Sequence, residues 1–289
     1  MSKKNSHTSA LFHYTRNQNI LINILKEGLK FSYCKEKFSD NLCLGLPMIS
    51  FCDIPIGNSA EHSSKYGQYA IALSKKKLLQ DYKTLGPVNY FTSLSSVEAA
   101  FKLRNEGVKK EQELESICKS SNGNEIKVEI KGKKFKGKTL SPENVQNATQ
   151  LFFQSSDYYK CSTNAIGLMK AYQSLHEYKK QINYDECEWR IVLPENAKIN
   201  RNTLCKWFWT ENEYDNWRNG REDKFINDLP LLFSVDDIEY IIVPTIELIP
   251  NFIKRLIKLK VICGTELEDK DRFSLVSKVI SLEQIKRDF

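Results

Sequence analysis

Short apolar segments of strand length stand on both sides of a long charged stretch, and this distribution constrains the fold of the chain most. Leu11-Phe12-His13-Tyr14-Thr15 reads as a strand; Asn17 follows as a helix N-cap, Ile20, Leu21, Ile24 and Leu25 recur at helical spacing, and Gly28 suits the C-cap. Pro47 to Cys52 reads as a second strand, stopped by Asp53-Ile54-Pro55, and Tyr69 to Leu73 as a third, with Ser74 capping a turn over Lys75 to Leu79. Val88 to Thr92 adds a further strand. Strand character returns at Glu188 to Leu193, Ile238 to Val243 and near Val261. Between them, Asn147 to Gln154, Ala165 to Gln181, a Trp-rich region (Trp207, Trp209, Trp217) and a segment with Ile253, Leu256 and Ile257 read as helical. The expectation is an α+β fold.

The charged stretch runs from about Val97 to Asn147. A charged helical segment leads to Ser120-Ser121-Asn122-Gly123, and Glu125 to Lys138 then alternates like a polar hairpin, with five lysines inside Lys131 to Lys138. Two readings stand: a solvated hairpin inserted in the fold, or a phosphate-backbone contact made by Lys131, Lys133, Lys134 and Lys136. No internal repeat or linker cuts the chain. Its 289 residues suffice for a real core, and 41% hydrophobic with 27% charged residues excludes collagen-like, low-complexity and wholly disordered classes. The balance 43 − 36 = +7 favours anionic partners. Eight cysteines without a C-x-x-C pair read as reduced thiols, with neither a disulfide framework nor a zinc site. A polar N-terminus and the lack of an apolar run of about 18 residues predict a cytoplasmic protein without a membrane span.

Tyr184-Asp185-Glu186-Cys187-Glu188-Trp189-Arg190 carries the most chemistry. Two carboxylates two residues apart at the start of a strand share a face, because strand side chains alternate, so both can enter one cleft. There a fixed carboxylate stabilises a developing cationic centre while its neighbour orients or deprotonates an acceptor. The same pattern suits an exposed strand edge salt-bridged to Arg190.

His13-x-Thr15 on the first strand, Phe51-Cys52-Asp53-Ile54-Pro55, the Glu61-His62 and Tyr66-Gly67-Gln68-Tyr69 segment and the late Glu-x-Glu-Trp-Arg strand together resemble the AbiGi family of bacterial abortive-infection proteins. The resemblance runs through Leu11 to Leu73, returns around Lys170 to Val192, and is supported by Asp237 to Val243. More distantly, the opening His-x-Thr strand and helix resemble DarT-type enzymes and the ADP-ribosyltransferase-like superfamily. That resemblance implies a split mixed or antiparallel sheet with flanking helices, a single domain over 1–289 with an insertion at about 97–147, and a cleft that holds NAD. It implies that His13 and Thr15 contact a ribose and that Ser50 sits near nicotinamide. Tyr66 or Tyr69 would stack on the nicotinamide ring, Glu188 would be catalytic, and Glu186 would orient the acceptor.

The chemistry is coherent. Cleavage of the nicotinamide N-glycosidic bond passes through an oxocarbenium-like state that a carboxylate stabilises without a metal. A neutral imidazole can hydrogen-bond a ribose hydroxyl, and a tyrosine ring can stack on nicotinamide. Lys75 to Lys77 either reach a pyrophosphate or remain solvated. Read without the resemblance, His13, Tyr66 and Tyr69 suit core packing and His62 the surface. His176 suits packing, the surface or the acceptor groove, and the tryptophans suit the core or stacking on single-stranded bases.

Two departures from the better-defined transferase pattern stand out: Ile49-Ser50-Phe51 replaces a Ser-Thr-Ser run, and the first strand lacks an arginine. Two functions follow from the resemblance. The first is an NAD-dependent mono-ADP-ribosyltransferase effector of an anti-phage, toxin-antitoxin type system, modifying RNA or single-stranded DNA. The second is a catalytically inactive antitoxin or defence component that binds a partner toxin or nucleic acid. A nuclease is poorly supported, because no Asp, Glu and Lys cluster or His pair has metal-ligand spacing. Glu186 and Glu188 retained beside Arg190 favour the first; a Glu188 pointing away from any cleft shared with His13 would favour the second.

Overall fold

The computed structural model describes residues 8–39, 42–58, 60–92, 94–119, 125–130, 133–138, 141–176, 179–221 and 224–288. At 60–61, 118–119, 125–130, 133–138, 144, 160–161, 164, 173–176 and 179–181 the backbone alone is described. The chain divides into two units, one built from Met1–Tyr90 and Lys170–Phe289, the other from Phe91–Met169.

The first unit is organised by a nine-stranded mixed sheet. It starts with β1 (Ala10–Thr15), α1 (Gln18–Glu27), β2 (Leu29–Ser39) and β3 (Leu42–Cys52), followed by α2 (Ala60–Tyr66), β4 (Tyr69–Ser74), α3 (Lys75–Asp81) and β5 (Leu85–Pro87). After the second unit come β6 (Glu188–Val192), α4 (Glu211–Arg218), β7 (Phe225–Leu231), β8 (Ile238–Val243), α5 (Ile249–Ile257), α6 (Asp269–Ser277), β9 (Val279–Ser281) and α7 (Leu282–Asp288). The strand order is β7-β2-β3-β1-β4-β8-β9, with β6 paired to β3 and β5 to β6. Only β8 and β9 pair in parallel among these strands.

Local chemistry explains the first elements. Asn17 caps α1, its side chain accepting from the Ile20 N–H at 3.0 Å, and Gly28 at φ +86° ends it. The buried face of α1 is Leu21, Ile22, Ile24 and Leu25; Ile20, expected on that face, is exposed, because Ile22 lies on the sheet side of the turn. β4 runs through the core, with Ala70, Ile71, Ala72 and Leu73 fully buried between β1 and β8.

The register of β3 forks the sheet. Cys52 faces Phe12 of β1 and Glu188 of β6, whereas Met48 faces Ser32 of β2 and Val192 of β6. Since β6 follows one edge of β3 from Met48 to Cys52, β1 and β2 must share the opposite edge and part between those residues. The parting opens a cleft over Ile49-Ser50-Phe51.

Several expectations are corrected. The helix expected over Ala165 to Gln181 stops at Gly167, a residue suited to ending helices, and strands Met169–Ala171, Gln173–His176 and Lys179–Ile182 follow. Trp207 and Trp209 lie on extended chain held by the Gly45–Phe208 bridge, and only Trp217 is helical. β2, α2, β5, β7, α6, β9 and α7 were not anticipated; in β2 the alternate burial of Leu29, Phe31 and Tyr33 is an ordinary strand signal that the flanking lysines mask.

The second unit holds two 26-residue helices, Leu94–Lys119 and Pro142–Gly167, which pack through Leu114, Ala148 and Phe152. The backbone between them forms the antiparallel hairpin Glu125–Ile130 with Lys133–Lys138. Lys131 and the side chains of Lys133, Lys134 and Lys136 lie outside the described residues.

Gly67 tests the packing of β1 against the turn before β4. Its φ is +123°, and an added Cβ would stand 2.2 Å from the Thr15 carbonyl oxygen. Gly67→Ala is expected to lower stability by about 3 kcal/mol. Gly220→Ala, at φ +76° with open space around it, should cost about 1 kcal/mol. Urea unfolding of both variants measures the difference, and equal losses would refute the close approach.

Candidate functional site

In the fork, a cavity of about 260 Å³ is floored by β3 and β6. Directly paired residues of antiparallel strands share a face, so the pairings Arg190 with Ser50 and Glu188 with Cys52 set Ser50, Glu188 and Arg190 side by side. His13 enters from β1, Glu36 from β2, and His62 and Tyr66 from α2. Lys170 and Glu186 complete the lining from the segments that precede β6.

Both carboxylates face this cavity, although strand alternation does not put them there. Glu186 ends a 3₁₀ turn, Asn183–Glu186, and Cys187 takes the left-handed conformation, φ 42° and ψ 47°, before Glu188 opens β6. A non-glycine residue in that region is strained and needs surrounding support. The Cys187 carbonyl accepts from the Asp53 N–H at 3.0 Å, and its own N–H donates to Tyr184. Asn183 is buried and donates from both its backbone N–H and its Nδ2 to the Tyr172 and Ala171 carbonyls, at 2.8 Å each, which holds the Lys170 segment beside the turn.

Glu188 is tightly compensated. Its Oε1 accepts from Ser50 Oγ at 2.8 Å and Arg190 Nε at 2.7 Å; its Oε2 accepts from Lys170 Nζ at 2.8 Å and Arg190 Nη2 at 3.1 Å. Burial opposes its charge, but Arg190 and Lys170 outweigh burial and hold the carboxyl well below the usual carboxylate range. Glu186 accepts from the Tyr66 hydroxyl at 2.6 Å, from Lys65, and from Lys170 at 2.7 Å. It too is held low by these partners against its burial. Lys170 therefore bridges the two carboxylates, and Arg190, 1% exposed, joins Glu188 to Glu36. Three carboxylates (Glu36, Glu186, Glu188) meet three cations (Lys65, Lys170, Arg190) in one network.

The two histidines of the cavity, His13 and His62, are neutral at pH 7. His13 donates from Nδ1 to the Ser50 carbonyl at 2.9 Å, and burial lowers its pKa against that bond. His62 is pushed down to about 4, chiefly by burial. Its ring lies between those of Tyr14, 5.0 Å away, and Tyr66, 4.5 Å away.

Of the expected residues, His13, Ser50, Tyr66, Glu186 and Glu188 come together in one cavity, and His62 joins them rather than lying on the surface. Thr15 is buried against the Gly67 turn, and Tyr69, opposite it at the head of β4, also stands outside the lining; Tyr66 is the ring at the site. Lys75 is unsuited to a pyrophosphate, because its Nζ donates to buried Asp53 at 2.6 Å and lies 4.2 Å from the Trp189 ring centre. The sequence reading missed Lys170, Lys65 and Glu36, whose types are too common to signal a site without the fold. Tyr90 was missed as well; its hydroxyl accepts from the Glu188 N–H at 3.1 Å. Among the described residues no group of three or more His, Cys, Asp or Glu is arranged to hold a metal ion. No helix among them is long and apolar enough to cross a membrane.

For NAD the fit is incomplete. Ser50 and Tyr66 are groups that a ribose and a ring could use, but Glu188 already spends its charge on Arg190 and Lys170. The cavity also falls below the range of about 300–1,000 Å³ common for ligand pockets.

Among known proteins, the abortive phage resistance protein AbiGi of Lactococcus lactis subsp. cremoris is 26% identical over 256 residues, covering 84% of this chain and 89% of that protein. No solved structure matches the chain. Residues 19–244 match the family model described as "Putative abortive phage resistance protein AbiGi, antitoxin". With most of its length matched, the chain belongs to the AbiGi family of abortive phage resistance proteins.

Proposed function

We propose that this chain is the antitoxin-side component of an abortive phage-defence system and acts by binding a partner toxin rather than by catalysis. The observation that carries this reading is the closed state of Glu188. A carboxylate that already faces a guanidinium and an ammonium at 2.7 and 2.8 Å offers little net negative field to a developing oxocarbenium centre. The family's description as an antitoxin agrees with a binding role.

A second reading, NAD-dependent mono-ADP-ribosyl transfer to nucleic acid, has in its favour the convergence of His13, Ser50, Tyr66, Glu186 and Glu188 in one cavity. Expression in bacteria and incubation with labelled NAD, RNA, DNA and cell extract separate the two. The binding reading expects no growth arrest from the chain alone, no label transfer, and relief of the arrest caused by the toxin of the same system. Arrest by wild type that Glu188→Gln relieves, with label transfer that Glu188→Gln abolishes, would replace it with the second reading.

A further inference from the structure

At the mouth of the cavity the chain places one of its own cations on a surface built for a cation. The Lys65 side chain is 35% exposed, and its Nζ pairs with Glu186, whose side chain is 9% exposed. The same Nζ lies 4.7 Å from the centre of the Tyr66 ring, and the Tyr66 hydroxyl donates to the carboxylate that binds the ammonium. His62 and Tyr14 continue the aromatic wall at 4.5 and 5.0 Å between ring centres. A buried carboxylate with a flat aromatic face beside it is the combination that holds an ammonium or guanidinium, by charge-assisted hydrogen bonding and by attraction to the ring.

The cations of the network differ in their attachment. Lys170 is 16% exposed and bonds both carboxylates, and Arg190 is 1% exposed and fixed between Glu36 and Glu188. Among the described residues Lys65 has one carboxylate partner, and it stands at the solvent side on the short helix α2. An exposed ammonium with a single carboxylate partner is the cation of the three that costs least to displace.

We infer that Glu186, Tyr66 and His62 form a slot for a lysine or arginine side chain of a protein partner, with Lys65 as the internal occupant that the partner displaces. The protein source of that cation rests on the toxin-binding reading; the slot itself does not. An internal occupant also adds selectivity, because a competing side chain must contribute more contacts than its ammonium alone before it displaces Lys65.

Small cations test the slot without any toxin. In NMR titrations at constant ionic strength, propylammonium should bind Lys65→Ala saturably and at least tenfold more tightly than it binds wild type. The double variant Lys65→Ala with Glu186→Gln should lose that binding. Acetylated, amidated lysine and arginine in parallel titrations show which head group the slot prefers. Equal binding to wild type and Lys65→Ala, binding that survives Glu186→Gln, or a response that sodium reproduces would overturn the slot. Lys65→Met, which keeps the aliphatic stem, serves as the emptied variant if Lys65→Ala fails to fold. Because no toxin enters these titrations, a toxin that fails to bind would count against the proposed function and leave the slot standing.

Discussion

Arg190→Met is expected to lower the free energy of unfolding by about 4 kcal/mol. Arg190 is 1% exposed, and its guanidinium holds Glu188 at 2.7 Å on one side and Glu36 on the other. Burial of a charge is tolerated only with a partner, so removing the guanidinium takes that cation from Glu36 and leaves buried Glu188 with Lys170 as its remaining one in the network. Methionine nearly matches the volume, which confines the loss to electrostatics rather than packing. Adding Glu36→Gln and Glu188→Gln to Arg190→Met should therefore recover about half of the loss, since neutral amides are far cheaper to leave in that place. Denaturant unfolding followed by circular dichroism measures the series. Losses that simply add across the three substitutions would show that the network is not coupled.

Acid should unfold the protein in two overlapping stages. His62 has a folded pKa near 4 against an unfolded value of 6.5, so the unfolded chain takes up the proton first. The stability tied to its neutral form is complete above pH 6.5 and is lost as pH falls toward 4; it amounts to about 2 kcal/mol once the partial exposure of the ring is allowed for. Glu186 and Glu188 have folded pKa values held below the unfolded carboxylate value by Lys170 and Arg190. Their contribution is present above pH 4.5 and disappears as pH falls below it. Lys170 and Arg190 are held in their charged forms and contribute no change over this range. Unfolding free energy measured from pH 8 to pH 3 should thus decline gently from about pH 6.5 and steeply below about 4.5. His62→Gln should reduce the gentle part, leaving the share of buried His13, and keep the steep one. A profile flat down to pH 4.5 in wild type would contradict the buried neutral imidazole.

The parts of the site that the sequence exposed are those whose local pattern is unusual. His13 stands in an aromatic strand, Glu186 and Glu188 flank one residue, and an Asn cap and a Gly stop bracket α1; each is visible within a few positions. The parts it hid depend on distance along the chain. Lys170 reaches Glu186 and Glu188 only because Asn183 ties residues 171 and 172 to the turn, and Glu36 meets Arg190 only because β2 and β6 both pair with β3. Thr15 was misplaced for a related reason. From the strand pattern alone it follows His13 on the same face, but Gly67 brings the next turn against its carbonyl and closes that end of the strand. Even the paired carboxylates were found by an argument that does not apply, since the torsion of Cys187 rather than strand alternation aims them together.

The fork in the sheet bears on how such a protein changes over generations. Its cleft is shaped by which main-chain edges pair, β6 along one side of β3 and β1 with β2 diverging along the other. Backbone pairing is indifferent to whether the side chains above it are catalytic, adhesive or inert. Substitutions at positions such as Ser50 or Tyr66 can therefore trade one ligand for another while the hollow persists. A lineage can lose a reaction and keep its receptacle, so an inherited cavity in a forked sheet marks capacity for binding before it marks any particular chemistry.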